Sequence, residues 1–152
     1  MNISENIKKI HEEVTTWRHE LHANPELCYE ENWTAEFITE KLKSFGIEVH
    51  NKIGKTGVIG VLKGSNSQEH KSNRSIGLRA DMDALPIEEE NDFDYKSKFL
   101  GKMHACGHDG HVAMLLGAAK ILSKEKKFSG TVYFIFQPAE EGGGGGLKMI
   151  ND

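Results

Sequence analysis

The stretch T-V-Y-F-I-F-Q-P-A-E-E, Thr131 to Glu141, decides the fold. Thr131 to Phe136 is a near-continuous apolar and aromatic run, the pattern of a strand buried on both faces of a mixed or parallel sheet. It ends at Gln137-Pro138 and delivers two adjacent glutamates, Glu140 and Glu141, before the five glycines Gly142 to Gly146. Upstream, Val112, Leu115, Leu116, Ala119 and Leu122 make the apolar stripe of a helix that starts near Asp109. Before that helix, Ser75 to Ala80 reads as another buried strand, which exits into D-M-D-A-L-P.

Farther out, Ile3, Ile7, Ile10, Val14, Trp17 and Leu21 recur at helical spacing, and Pro25 cannot continue that helix. A second helix is predicted from about Trp33 to Phe45, with Gly46 as its stop. I-E-V-H-N and G-V-I-G-V-L-K-G read as strands around the turn G-K-T-G. Gly64 to Arg74 reads as an exposed hairpin loop, and residues 87 to 102 as a long irregular loop of the kind that is functional or mobile. Leu147 to Ile150 begins a last helix. The order predicts an α/β fold, a mixed central sheet of about five strands flanked by helices.

A chain of 152 residues, 38% hydrophobic and 28% charged, is long enough for a real core and has globular composition. A net charge of −4 with mixed signs offers no basic field for nucleic acid and no polybasic patch for a membrane. No apolar run reaches bilayer length, and the N-terminus lacks a signal-peptide pattern. Two distant cysteines, Cys28 and Cys106, suit free thiols in a reducing cytoplasm. The eight histidines are unusual, because His104, His108 and His111 crowd into one short stretch.

That stretch, M-H-A-C-G-H-D-G-H at 103–111, is the sharpest chemical signal. Cys106 and His108 bracket a glycine just before the third helix, and thiolate and imidazole both ligate zinc-like metals. A buried cysteine beside histidines that cap a helix is the plainer alternative, weakened by the clustering. Neither a zinc finger nor a zinc deaminase fits, since neither partner motif is present. At Q-P-A-E-E-G, one glutamate can bind metal while its neighbour acts as general base, the division of labour that metal-assisted hydrolysis needs. Elsewhere an E-E pair is a solvated turn; here it follows a buried strand. In R-A-D-M-D-A-L-P, Asp81 suits equally a pair with Arg79 or a carboxylate that orients a ligating histidine. Asp83 suits the orienting role better. The glycine run lacks the G-K-[ST] of a phosphate loop. The stretches Trp17-Arg18-His19 and Asn24-Pro25-Glu26 carry no chemistry that spacing reveals.

W-R-H-E-L-H-A-N-P-E-L, G-L-R-A-D-M-D-A-L-P, M-H-A-C-G-H-D-G-H-V-A-M-L-L-G-A-A and G-T-V-Y-F-I-F-Q-P-A-E-E-G-G-G-G together resemble one family. It is the amidohydrolase branch of the aminoacylase-like metallopeptidases, which includes hippurate hydrolases, bacterial N-acyl-amino-acid amidohydrolases and plant indole-acetyl-amino-acid hydrolases. The resemblance implies a zinc-exopeptidase-like fold and hydrolysis of the amide bond of a small N-acyl amino acid. It implies two divalent ions, zinc or manganese, with cobalt and nickel as further candidates. Cys106 would be shared between them, with His108 a ligand of one and Glu141 of the other. Glu140 would be the general base, and Asp83 would support the site from behind. At the position of Asp81 the wider superfamily has a histidine ligand, which His108 would replace here.

Members of that family are longer, with later histidine ligands and an inserted domain that dimerises and helps hold the substrate. Residues 1–152 would then be the N-terminal part of the catalytic domain, without its dimerisation domain and C-terminal part. Sharing Cys106, Glu141 and His108 between two ions leaves each fewer than the three protein ligands a catalytic zinc normally keeps. Weak metal binding and slow or absent turnover are therefore expected of this chain. A non-catalytic remnant, or a chain that needs a separate C-terminal half, is the rival expectation.

Overall fold

The computed structural model describes residues 3–65 and 74–152. Helix α1 spans Ile3–Ala23 and α2 spans Asn32–Ser44; β1 (Glu48–Ile53) and β2 (Gly57–Lys63) follow. Then come β3 (Ser75–Asp81), α3 (His108–Glu125), β4 (Thr131–Gln137) and the short α4 (Gly145–Asn151). The predicted helices and strands form within a few residues of their expected bounds. Pro25 ends α1 as its missing N–H requires. Gly46, at φ +70°, closes α2 with its N–H on the Lys43 carbonyl.

Four described strands form one mixed sheet in the order β1-β2-β4-β3, rather than the five expected. β1 with β2 and β2 with β4 run antiparallel, whereas β3 and β4 run parallel. The segment from Gly64 to Arg74 is no hairpin, because β4 lies between β2 and β3. Most of that segment, residues 66–73, falls outside the described residues. A hairpin between β2 and β3 would strip the apolar β4 of one ladder, and β4 is the strand best suited to the centre.

Burial on both faces of β4 was expected, and only one face is fully covered. Val132, Phe134 and Phe136 are buried, while Tyr133 on the opposite face is 38% exposed. The reason is how the helices are distributed. Trp17 and Leu21 of α1, Ile38 and Leu42 of α2, and Val112 and Leu116 of α3 join one core with Val58, Leu62 and Phe134. Among the described residues α4 alone reaches the second face, where Met149 lies against Gly57.

The parallel pairing is what builds the site. Asp81 stands opposite Gln137, so the C-terminal ends of β3 and β4 open side by side, where open α/β sheets place their ligands. α3 starts at His108 beside them. The long loop of residues 87–102 is ordered by backbone bonds from Lys98 to Ala23 and between Leu85 and Met103. Among the described residues no helix is long and apolar enough to cross a membrane.

Candidate metal centre

His108 is the pivot. It is 2% exposed, and Gly107 in front of it adopts φ +87°, a turn that delivers the ring to the strand ends as α3 begins. Its Nδ1 donates to the backbone carbonyl of Asp83 at 2.8 Å. That bond turns Nε2 toward three carboxylates: Asp81 at 3.5 Å, Glu141 at 3.8 Å and Glu140 at 3.9 Å. These distances exceed hydrogen-bonding range and leave the nitrogen's lone pair available. Cys106, His108 and Glu141 each offer one ligand atom, all within 4.8 Å of one another. Glu141 Oε1 is buried and has no hydrogen-bond partner among the described residues, an orphaned acceptor that a cation would satisfy.

Asp83 stands behind this group. Its Oδ2 accepts the Glu141 N–H at 2.9 Å, and its Oδ1 lies 3.4 Å from His108 Nδ1. Burial opposes its charge, yet the His108 ring and the Glu141 N–H together hold its carboxyl well below the usual range. The expected pairing of Asp81 with Arg79 forms. It accepts from Arg79 Nη1 at 2.8 Å and from His111 Nδ1 at 2.6 Å, while its carboxylate also faces His108. With His111 and His108 it makes a second close group of potential ligands. His111 was not singled out as a site residue from the sequence, and only the approach of β3 to α3 gives it a partner.

The electrostatics favour a cation. Asp81, Asp83, Glu140 and Glu141 surround one imidazole, with Arg79 on the rim. Burial lowers the His108 pKa, but the Asp83 hydrogen bond and the Asp81 charge outweigh it and raise it above the ordinary value. A hydrogen bond to Glu141, followed by burial and the charges of Glu141, Glu140 and Asp81, pushes the exposed Cys106 thiol up.

Sequence spacing missed a strap and a clamp. The strap is Glu26 to Glu31. Glu26 caps α2 through the N–H of Thr34 at 2.8 Å. The Cys28 thiol donates to Asp83 Oδ2 at 3.2 Å, and the Tyr29 hydroxyl to the Gly143 carbonyl. Fully buried Glu31 accepts from Thr56 Oγ1 at 2.6 Å and from the Ala139 N–H at 2.8 Å. Ala139, at φ +49°, is the strained residue that aims Glu140 and Glu141. The glycine run serves this same turn, since a Cβ on Gly145 would meet the Pro138 carbonyl oxygen at 1.7 Å. The clamp is His22, which bridges Asp109 at 2.8 Å and Glu89 at 3.0 Å, with Arg18 also on Asp109. No local signal marks these residues, because each is paired with one far away in the chain.

Comparison with known proteins adds to this geometry. The profile of Peptidase family M20/M25/M40 matches residues 77–152. The chain is 51% identical to the hippurate hydrolase of Campylobacter jejuni over 152 residues, covering all of this chain and 38% of that protein. It is 49% identical to the N-acyl-L-amino acid amidohydrolase of Geobacillus stearothermophilus, covering 96% of this chain and 40% of that protein. A crystal structure described as a dinuclear metal-binding peptidase of the M20 family, from Bacillus subtilis, superposes with a TM-score of 0.87 at 40% identity. That match covers 95% of this chain and 40% of the other. The chain thus spans about two fifths of the length of these relatives.

Proposed function

The chain belongs to Peptidase family M20/M25/M40, and from that premise we propose that its metal centre serves metal-dependent hydrolysis of the amide bond of N-acyl amino acids. The observation that carries this reading is the meeting of Cys106, His108 and Glu141 at the parallel strand ends, with Glu140 facing the same imidazole. We read residues 1–152 as the N-terminal part of that family's catalytic domain, in line with the share of the relatives that they match. The two free thiols fit a cytoplasmic protein.

The donor set suits two divalent ions, zinc and manganese first, which Cys106, His108 and Glu141 would hold. Such ions supply two things when bound: acidification of the attacking water and stabilisation of the oxyanion that develops on the amide carbonyl. The residues do the rest. Cys106 gives up its proton on becoming a ligand. His108 keeps its ring fixed through the Asp83 carbonyl, and Asp83 holds the Glu141 backbone. Glu140, 41% exposed at its side chain, takes the proton of the attacking water and returns it to the leaving amine. The products are the free acid and the amino acid.

The test is hydrolysis of N-acetyl- and N-benzoyl-amino acids by the purified chain with zinc, manganese or cobalt, beside Glu140→Ala. Metal-dependent turnover that falls by about a thousandfold in Glu140→Ala supports the reading. A folded chain that binds metal without turnover makes it a metal-binding module instead. A folded chain that binds none of the three ions removes the metal centre altogether.

A further inference from the structure

We propose that Cys28 is a positioning residue of the metal centre, holding the Asp83 carboxylate so that His108 and Glu141 stay in ligating positions. The inference rests on the metal-centre reading above and adds to it a residue that touches no ligand atom of the proposed ions.

Asp83 Oδ2 takes both side-on donors, the Cys28 thiol at 3.2 Å and the Glu141 N–H at 2.9 Å. Oδ1 is buried and has no hydrogen-bond partner among the described residues, although His108 Nδ1 lies 3.4 Å away. That nitrogen is already committed to the Asp83 carbonyl at 2.8 Å. The carboxylate is therefore under two pulls: Cys28 and Glu141 draw it to one side, and the imidazole draws it to the other. Without the thiol, the carboxylate is free to swing toward His108, competing with the carbonyl that sets the ring's orientation. The same swing loosens the Glu141 backbone, and with it the turn that carries both glutamates. Outer partners of this kind set ligand geometry, and losing one weakens metal affinity by roughly 10- to 100-fold. A thiol is a weak donor, so Cys28 belongs at or below the low end of that range.

The thiol is equipped for a constant role. Burial, followed by the hydrogen bond to Asp83, pushes its pKa up to about 11, so it keeps its hydrogen, and its bond, throughout the neutral range. It is also anchored on both sides. Glu26, two residues before it, accepts the Ala84 N–H at its carbonyl, and Tyr29, next to it, holds the Gly143 carbonyl. The strap thus reaches the D-M-D turn and the glycine run together, and Cys28 sits between those two attachments.

The experiment compares Cys28→Ala and Cys28→Ser with the parent chain by two readouts. One is zinc affinity by chelator competition; the other is the exchange rate of the Glu141 amide hydrogen, measured by NMR without metal. Cys28→Ala is expected to weaken zinc binding about fivefold and to speed Glu141 exchange several-fold, with an unchanged thermal midpoint. Cys28→Ser, which keeps a donor, restores both to within about twofold. Unchanged exchange in Cys28→Ala overturns the inference, and so does faster exchange with unchanged zinc affinity. A Cys28→Ser variant no better than Cys28→Ala also overturns it, since packing rather than the donor would then matter. If the parent chain binds no zinc, the metal-centre reading fails, and the Glu141 exchange rates alone decide whether Cys28 holds Asp83.

Discussion

His22 and His108 are both almost fully buried, at 4% and 2% exposure, and both lie among carboxylates, yet the two neighbourhoods do opposite things. Around His22 both ring nitrogens are used up, Nδ1 on Asp109 at 2.8 Å and Nε2 on Glu89 at 3.0 Å. Around His108 one nitrogen is tied to a neutral carbonyl, and the other faces carboxylates too far away to bond it. The first arrangement is closed by hydrogen bonds between fixed partners. The second is left open on the side where negative charge accumulates. Partner geometry, not residue type or burial, separates a histidine closed into a clamp from one left open to a cation.

The sharpest way to break this comparison is to truncate both rings. His108→Ala is expected to lower zinc affinity by roughly a hundredfold or more while the chain stays folded, because a ligand outweighs an outer partner. His22→Ala is expected to do the reverse. It leaves Glu89 and Asp109 buried with one partner fewer, at a cost of about 3 kcal/mol, the low end for a broken buried pair because Arg18 still meets Asp109. Urea unfolding and chelator competition on both variants check the crossing. Equal effects of the two variants on affinity would mean that the clamp belongs to the site.

A smaller effect is expected at Glu31. In Glu31→Gln the amide oxygen can keep the Ala139 N–H, but the amide nitrogen must donate to a Thr56 hydroxyl that has turned round to accept, so two bonds to a carboxylate become two weaker neutral ones. The expected loss is about 2 kcal/mol. Adding Ala139→Gly relieves the left-handed backbone at φ +49° and should recover part of it, so the double variant is more stable than Glu31→Gln alone. Urea midpoints of the two singles and the double decide this, and strict additivity would mean that Glu31 does not hold the turn.

These variants follow the line between what was legible in the sequence and what was not. The helices, the strands and the three motif stretches could be read because their signals are local: periodicity, glycine and proline stops, and clustered ligand types. The position of β4 between β2 and β3 could not, since strand order is a contest among ladders that local pattern does not record. Cys28, Glu31 and His22 were silent for a related reason. Their partners Asp83, Ala139 and Asp109 are distant in the chain, so neither residue of a pair looks unusual beside its own neighbours. The partly covered second face, with Tyr133 exposed, likewise depends on which face the helices choose.

The clamp also titrates. The Asp109 hydrogen bond, working against burial, raises the His22 pKa above 6.5. A raised folded value favours the protonated ring, so its contribution to stability is fully present below the unfolded value. It is lost as pH rises through the folded one, at about 1.4 kcal/mol for each unit of difference. Stability measured from below pH 6.5 upward should therefore fall in the parent chain, and the fall should be smaller in His22→Ala. A parallel fall in both would assign the pH dependence to other groups.

His104 supplies the third case and the smallest effect. It is 4% exposed, and neither ring nitrogen has a hydrogen-bond partner among the described residues. Burial drives its pKa down to about 4, so the ring is neutral. It lies 6.4 Å from the His22 ring, centroid to centroid, close to the clamp but not bonded into it. A buried polar group without partners costs free energy, and an apolar side chain of similar size removes that cost. His104→Leu is therefore expected to leave urea stability unchanged or raise it by about 1 kcal/mol, where His22→Ala lowers it. Zinc affinity should change less than in Cys28→Ala, because His104 holds neither Asp83 nor His108 by a hydrogen bond. A loss of about 2 kcal/mol or more would mean that the ring is hydrogen-bonded in solution, with an ordered water joining it to the buried Asp109 Oδ1, and that the clamp extends to the edge of the metal centre.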